Sequence, residues 1–240
     1  MPGSSFDPGD LDQVRDPYPT LAGLRAEAPV LELDSGFVAV TGYTAVLEAL
    51  RSPSCGTAPI AARYLDGLPP GAARDEMSHR INFLDPPDHP RVRGLVSKAF
   101  TPRRVTALGP WMADTAHRLL DDLVGGGEVD LLAAYAHQLP SLVISELLGV
   151  PAADRDALTG LSDATAPLLG VRVADDQRTA AISAAEEMHA YLGALLDERR
   201  RQPGDDLLSA LLAAEEDGER LQRAELLSLA ATLYSAGHRT

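Results

Sequence analysis

The stretch NFLDPPDHPRVRGLVSKAF, Asn82–Phe100, constrains this chain more than any other. Prolines at 86, 87 and 90 break whatever precedes them, and the residues that follow repeat at helical spacing. Asp85 reads as the cap of the new helix, with Pro86 at its first position, where a missing N–H costs nothing. Asp88 adds negative charge near the positive end of the helix dipole. Pro90 fits that register less well, so the first turn is irregular or the start lies a residue or two later. At about 100° per residue, His89, Arg93, Val96 and Phe100 form one stripe. Val92, Leu95 and Ala99 lie beside it and face a core; Arg91 and Lys98 point away. An imidazole and a guanidinium one turn apart, beside apolar surface, suit an anionic group at the edge of an apolar ligand. Equally, the pair reads as side chains snorkelling to solvent from a core edge.

Around this stretch the chain alternates helical patterns with Gly- and Pro-marked breaks. Residues 1–16 read as a loosely held arm. Tyr18–Ala28 is a short helix, and Val30–Leu33 and Phe37–Thr41 flank a turn as a small β-hairpin. Tyr43–Arg51 is a helix stopped by Pro53. Ser54–Ile81 is weakly periodic and reads as a long loop whose Ile60, Tyr64, Leu65, Leu68 and Met77 line a pocket or cover a surface. Arg103–Val124 is predicted as one long helix. Tyr135–Leu148 is another, with Pro140 forcing a kink or a split start. Asp154–Leu169 and Gln177–Arg201 form a helix pair around a breakable turn, Asp205–Glu216 is a helix, and Gln222 is placed to cap the last one. Leu226–Thr240 is apolar on most sides, so it is expected to run through the middle of the fold.

The composition, 45% hydrophobic and 23% charged, is that of a globular protein, and a net charge of −14 argues against a nucleic-acid surface. No apolar run approaches a membrane span, so no membrane association is expected and the location is read as cytoplasmic. Cys55, the single cysteine, rules out an internal disulfide. It reads as a small buried hydrophobe rather than an iron ligand, because nothing around it forms a ligand loop. His117 and His137 share no ligand spacing and read as surface residues. No metal site is assigned.

DPPDHPRVRGLVSKAFTPRRV resembles the C-helix segment of bacterial soluble cytochrome P450s, and the final AGHRT resembles the oxygen-activating segment of their long central helix. The order of elements between them resembles the N-terminal portion of the same family. The resemblance implies a mainly α P450 fold, incomplete, with a small N-terminal β-hairpin, residues 1–240 being the first part of one domain. It implies that His89 and Arg93 bind a propionate of haem b (iron protoporphyrin IX). Ala236 and Gly237, both without bulk, would let the cofactor and bound oxygen approach, and Thr240 would assist oxygen activation. Arg239 stands where the family carries an acid, and an arginine cannot relay a proton as a carboxylate does. His238 occupies the family's variable position.

By resemblance, the function is monooxygenation: hydroxylation or epoxidation of an apolar organic substrate with O2. Electrons come from NAD(P)H through a ferredoxin-type donor, with Arg91 and Lys98 as its candidate contacts. The family's E-x-x-R pair and haem-ligating Cys belong after position 240. The 240 residues alone are therefore expected neither to hold haem normally nor to catalyse, and to expose apolar surface on the 226–236 helix. The alternative is a haem-free helical protein that binds a small molecule or a partner.

Overall fold

The computed structural model describes residues 6, 10–33, 36–125, 127–170, 173–215 and 218–239. The chain forms two compact units, one running up to Gly56, the other from Thr57 to Leu169 and from Val173 onward.

In the first unit, α1 (Leu11–Arg15) and α2 (Tyr18–Glu27) precede β1 (Val30–Glu32) and β2 (Val38–Val40), and α3 (Tyr43–Arg51) follows. The two strands pair antiparallel with Leu31 opposite Ala39, which is the hairpin the apolar runs predict. Its turn lies largely outside the described residues, as do residues 1–5 and 7–9 of the predicted N-terminal arm, within which Leu11–Arg15 forms α1. Cys55 is exposed, which corrects the buried reading. With a polar, Gly- and Pro-marked neighbourhood, the local sequence offers it no apolar face to join.

The second unit is almost wholly helical. Where a loop is expected over Ser54–Ile81, two helices form, α4 (Ala58–Leu65) and α5 (Ala72–His79), followed by a 3-10 turn at Ile81–Phe83. Both are short enough for their periodicity to be hidden by the intervening Gly67–Gly71 segment. Met77 and Leu68 are buried in a small core with Leu168, Ala181 and Ala185, so they do not line a pocket. Next come α6 (Asp88–Ala99), α7 (Pro102–Ala107) and α8 (Gly109–Asp121). The predicted single helix over 103–124 is thus two, because Pro110 lacks the N–H that a continuous helix needs. A π-helical turn at Leu132–Ala136 leads into α9 (Gln138–Leu148), which places Pro140 in the first turn and realises the predicted split.

After a left-handed Gly149 (φ 75°) closes α9, the chain continues with α10 (Arg155–Thr165), a 3-10 turn at Ala166–Leu169, and α11 (Asp175–Arg201). The last two helices are α12 (Leu207–Ala213) and α13 (Arg223–Arg239). Asp206 caps α12 by accepting from the Ser209 amide at 2.7 Å. Gln222 supplies the carbonyl that starts α13, while its own N–H donates to Glu225 at 2.8 Å.

Helix α13 packs against α5, α9, α10, α11 and α12 and is the axis of the unit. Leu226, Leu229, Ala230, Ala231 and Tyr234 are buried. The expected apolar exposure over 226–236 is therefore mostly absent: Leu227 and Leu233 are half-buried and Ala236 is exposed, while the other apolar residues of the stretch are buried. The predicted course through the middle of the fold holds because an all-round apolar helix is stable only when neighbours surround it.

Candidate functional site

Helix α6 sets the first half of the site. Val92, Leu95 and Ala99 are buried in the main core, as their spacing predicts. One step round the helix, His89 is half-buried and Arg93 exposed, with Val96 half-buried and Phe100 exposed further along. The helix begins at Asp88, not at Asp85. Asp85 caps a different helix: its carboxylate accepts from the Thr57 amide at 2.9 Å, the Thr57 hydroxyl at 3.0 Å and the Ala58 amide at 2.9 Å, at the start of α4. Those amides hold the Asp85 carboxyl below its ordinary pKa, with the Thr57 hydroxyl and His89 adding to the effect.

The cations on α6 divide sharply. Arg91 is bonded to Glu225 at the start of α13, with Glu219 at 3.6 Å and Asp88 at 3.8 Å. The Glu225 bond, more than the other two carboxylates, raises the Arg91 pKa. This corrects the reading of Arg91 as a free contact for an acidic partner; its guanidinium is already committed inside the chain. Lys98 is exposed and donates to the Glu215 carbonyl at 3.2 Å. Arg93, by contrast, makes no side-chain ion pair or hydrogen bond among the described residues. An unpaired guanidinium one turn from an imidazole is a donor set fitted to an anion.

Helix α13 carries the other half. Ala236 and Gly237 are exposed in its last turns, and His238 is buried. A Cβ on Gly237 would meet Ile144 of α9 at 2.7 Å, so the glycine is what lets the two helices approach this closely. The buried His238 ring lies 2.7 Å from Asp163 of α10 through Nε2 and 3.1 Å from the Tyr234 carbonyl through Nδ1. An open cleft of about 500 Å³ beside it is lined by residues of α9 and α10, among them Ser141, Thr159 and Asp163. The side chain of Arg239 and the whole of Thr240 lie outside the described residues.

Sequence reading missed a buried polar cluster where α5, α11 and α13 meet. Glu76, Arg80 and His189 are each about nine-tenths buried or more as side chains. Arg80 donates from Nη1 to Glu76 at 2.7 Å and from Nη2 to Ser235 at 3.2 Å. His189 lies 3.4 Å from the other Glu76 oxygen. Burial, outweighing the Glu76 charge, lowers the Arg80 pKa. No local pattern announces the cluster, since Arg80 and Ser235 are 155 positions apart. Among the described residues no group of three or more His, Cys, Asp or Glu is placed to hold a metal, and no helix is long and apolar enough to cross a membrane.

No protein-family model matches the chain. Over 233 residues it is 40% identical to the vitamin D(3) 25-hydroxylase of Pseudonocardia autotrophica, taking in 94% of this chain and 55% of that protein. Over 238 residues it is 38% identical to the cytochrome P450 monooxygenase PikC of Streptomyces venezuelae, taking in 95% and 54%. Among solved structures it superimposes on CalO2 with a TM-score of 0.89 at 31% identity, over 99% of this chain and 59% of that one. The chain thus spans little more than half the length of the relatives it matches.

Proposed function

Because the chain belongs to the bacterial cytochrome P450 family and matches the N-terminal part of its members, we propose that the whole protein is a haem-thiolate monooxygenase. It hydroxylates or epoxidises an apolar organic substrate, with electrons from NAD(P)H delivered by a ferredoxin-type donor. In this reading both units belong to one P450 domain. The observation that carries the site assignment is the contrast on α6: Arg91 is held by carboxylates, whereas Arg93 has no ion-pair partner among the described residues.

The residues present fit haem b at its propionate edge. His89 and Arg93 offer donors to a carboxylate from one helix face, and the buried Val92 and Leu95 hold that face in position. Haem bound there supplies the activation of O2 and the oxygen-transfer chemistry. The protein's part is to bind, orient and exclude water. Ala236 and Gly237 would add little bulk on α13 beside the group, although the missing Cβ of Gly237 is directed at Ile144 of α9. His238, pinned to Asp163, fixes the rotation of the helix turn that bears them. Thr240, in the place of the family's Thr, would offer a hydroxyl to the oxygen chemistry that haem would supply. Arg239 stands in the place of the family's acid, and an arginine offers no proton relay. Lys98 remains the candidate contact for the acidic donor, and Arg91 does not.

We read the 240 residues by themselves as inactive. The support is that they match just over half of each relative and that their single cysteine is exposed on the other unit from α6 and α13. The full-length gene product is expected to give a thiolate-type spectrum in its CO-bound ferrous form. Its absence would sink the monooxygenase reading in favour of a haem-free binding protein. A stoichiometric haemin complex of the 240 residues with that spectrum would refute their inactivity.

A further inference from the structure

The buried cluster of Glu76, Arg80, His189 and Ser235 has more hydrogen-bonding capacity than it uses. Arg80 Nε and, one turn before Ser235, Thr232 Oγ1 are buried with no hydrogen-bond partner, while Glu76 Oε2 and His189 Nε2, also without a hydrogen bond, face each other at 3.4 Å. An orphaned buried donor costs about 1–3 kcal/mol, and more on a charged group, so several in one place mark a missing polar partner. The geometry of Arg80 says what kind. Its Nη1 end is taken by Glu76, at 2.7 Å. The opposite edge, Nε and Nη2, presents two parallel N–H donors, of which one is empty and the other holds only the long 3.2 Å contact to Ser235. That edge is the fork that pairs with two oxygens of a carboxylate. Ser235 can yield, because its hydroxyl already donates to the Thr232 carbonyl at 3.1 Å.

The fork is also in the right place. Ser235, which touches the Arg80 edge, is half-buried and immediately precedes the exposed Ala236. The other side of the cluster is closed: the Ser228 hydroxyl donates to the Glu76 carbonyl at 2.8 Å, and His189 backs the Glu76 carboxylate. A guanidinium held in this way cannot swing to solvent.

We propose that Arg80 is the substrate-recognition residue for a carboxylate on an otherwise apolar substrate, received on its Nε–Nη2 edge beside Ser235. This rests on the monooxygenase reading for what the ligand is, not for whether the fork takes a carboxylate. Two measurements on the full-length protein separate these. The first labels arginine with 15N and titrates with acetate, then with acetamide. The Arg80 Nε–H resonance, identified by its loss in Arg80→Lys, is expected to shift saturably with acetate and not with acetamide. An unmoved resonance, as a resident water alone would leave it, overturns the proposal whatever the state of the haem.

The second follows binding of dodecanoate and its methyl ester by the change in the haem absorption band. The acid is expected to bind about ten- to a hundredfold more tightly, the worth of hydrogen bonds to a charged group. The double variant Glu76→Gln with Arg80→Met removes both buried charges together, so neither is stranded, and is expected to lose that preference. Equal binding of acid and ester, or a preference that survives the double variant, overturns the proposal. Loss of the thiolate-type CO spectrum counts instead against the monooxygenase reading.

Discussion

Arg91 and Glu225, 134 positions apart, form an ion pair that ties the first turn of α6 to the first turn of α13. The pair joins the helix bearing His89 and Arg93 to the helix bearing Ala236 and Gly237. Glu225 is buried and also accepts from the Gln222 amide at 2.8 Å, so one carboxylate both starts α13 and anchors α6. Glu225→Ala is expected to destabilise the fold by about 1–3 kcal/mol, because it removes the short ion pair of a partly buried guanidinium, leaving only Glu219 and Asp88 at longer range, and uncaps a helix. Urea unfolding measures this. Arg91→Gln is expected to lower stability in the same assay while leaving the affinity for a ferredoxin-type donor unchanged, whereas Lys98→Gln weakens that affinity at low salt.

Arg93→Ala and His89→Ala in the full-length protein are each expected to speed haem loss by roughly tenfold or more, the worth of one or two hydrogen bonds to a charged group. Transfer of haem to an acceptor apoprotein gives the rate. Unchanged loss in both variants would remove the propionate role.

Gly237→Ala is expected to cost about 1–3 kcal/mol, since the added methyl meets the Ile144 side chain at 2.7 Å and forces it or the helices to shift. Ile144→Ala in the same chain is expected to recover part of that loss, so the double-mutant cycle shows a coupling between the two sites. Additive effects would mean that the close approach of α9 and α13 does not depend on the glycine.

Tyr234 sits at 0% exposure with its hydroxyl 2.8 Å from Thr159, 3.1 Å from Ser145 and 3.3 Å from the Arg155 carbonyl. Tyr234→Phe is expected to cost about 1–3 kcal/mol, chiefly because Ser145, itself fully buried, loses this partner. Thermal unfolding reads the loss as a fall in Tm.

The Asp85 carboxyl titrates below its ordinary value because the Thr57 and Ala58 amides bind its charged form. Its folded pKa is depressed, so its contribution to stability is complete above the unfolded carboxylate pKa and disappears as pH falls through the folded value. Stability measured against pH is expected to fall less steeply on the acid side in Asp85→Asn than in the parent chain. Identical slopes would show that the cap on α4 carries no charge-dependent energy.

Much of this architecture was legible. Val92, Leu95 and Ala99 lie on the buried face that their spacing assigns, and α3, α11 and α13 fall within a few residues of their predicted spans. The hairpin pairs as its two apolar runs suggest. The failures share a cause. Asp85 has cap chemistry, but whether it caps the helix after it or one 27 positions before it depends on which amides the fold brings near. Met77 looks like a pocket residue in a loop, yet α5 carries it into a core made by Leu168 and Ala181.

The sequence by itself determined the spans of α3, α11 and α13, which face of α6 is buried, and that α13 is a central helix, because these follow from local spacing of apolar side chains and from proline geometry. The cytochrome P450 motifs around His89 and Arg93 were likewise local. Only the tertiary structure decided that, among the described residues, Arg91 is bound while Arg93 is not, that His238 faces Asp163, and that Arg80 presents a half-filled fork beside Ser235. Those outcomes turn on charges and hydrogen-bonding atoms from residues distant in the chain, and a buried polar group takes whatever partner packing brings within about 3 Å.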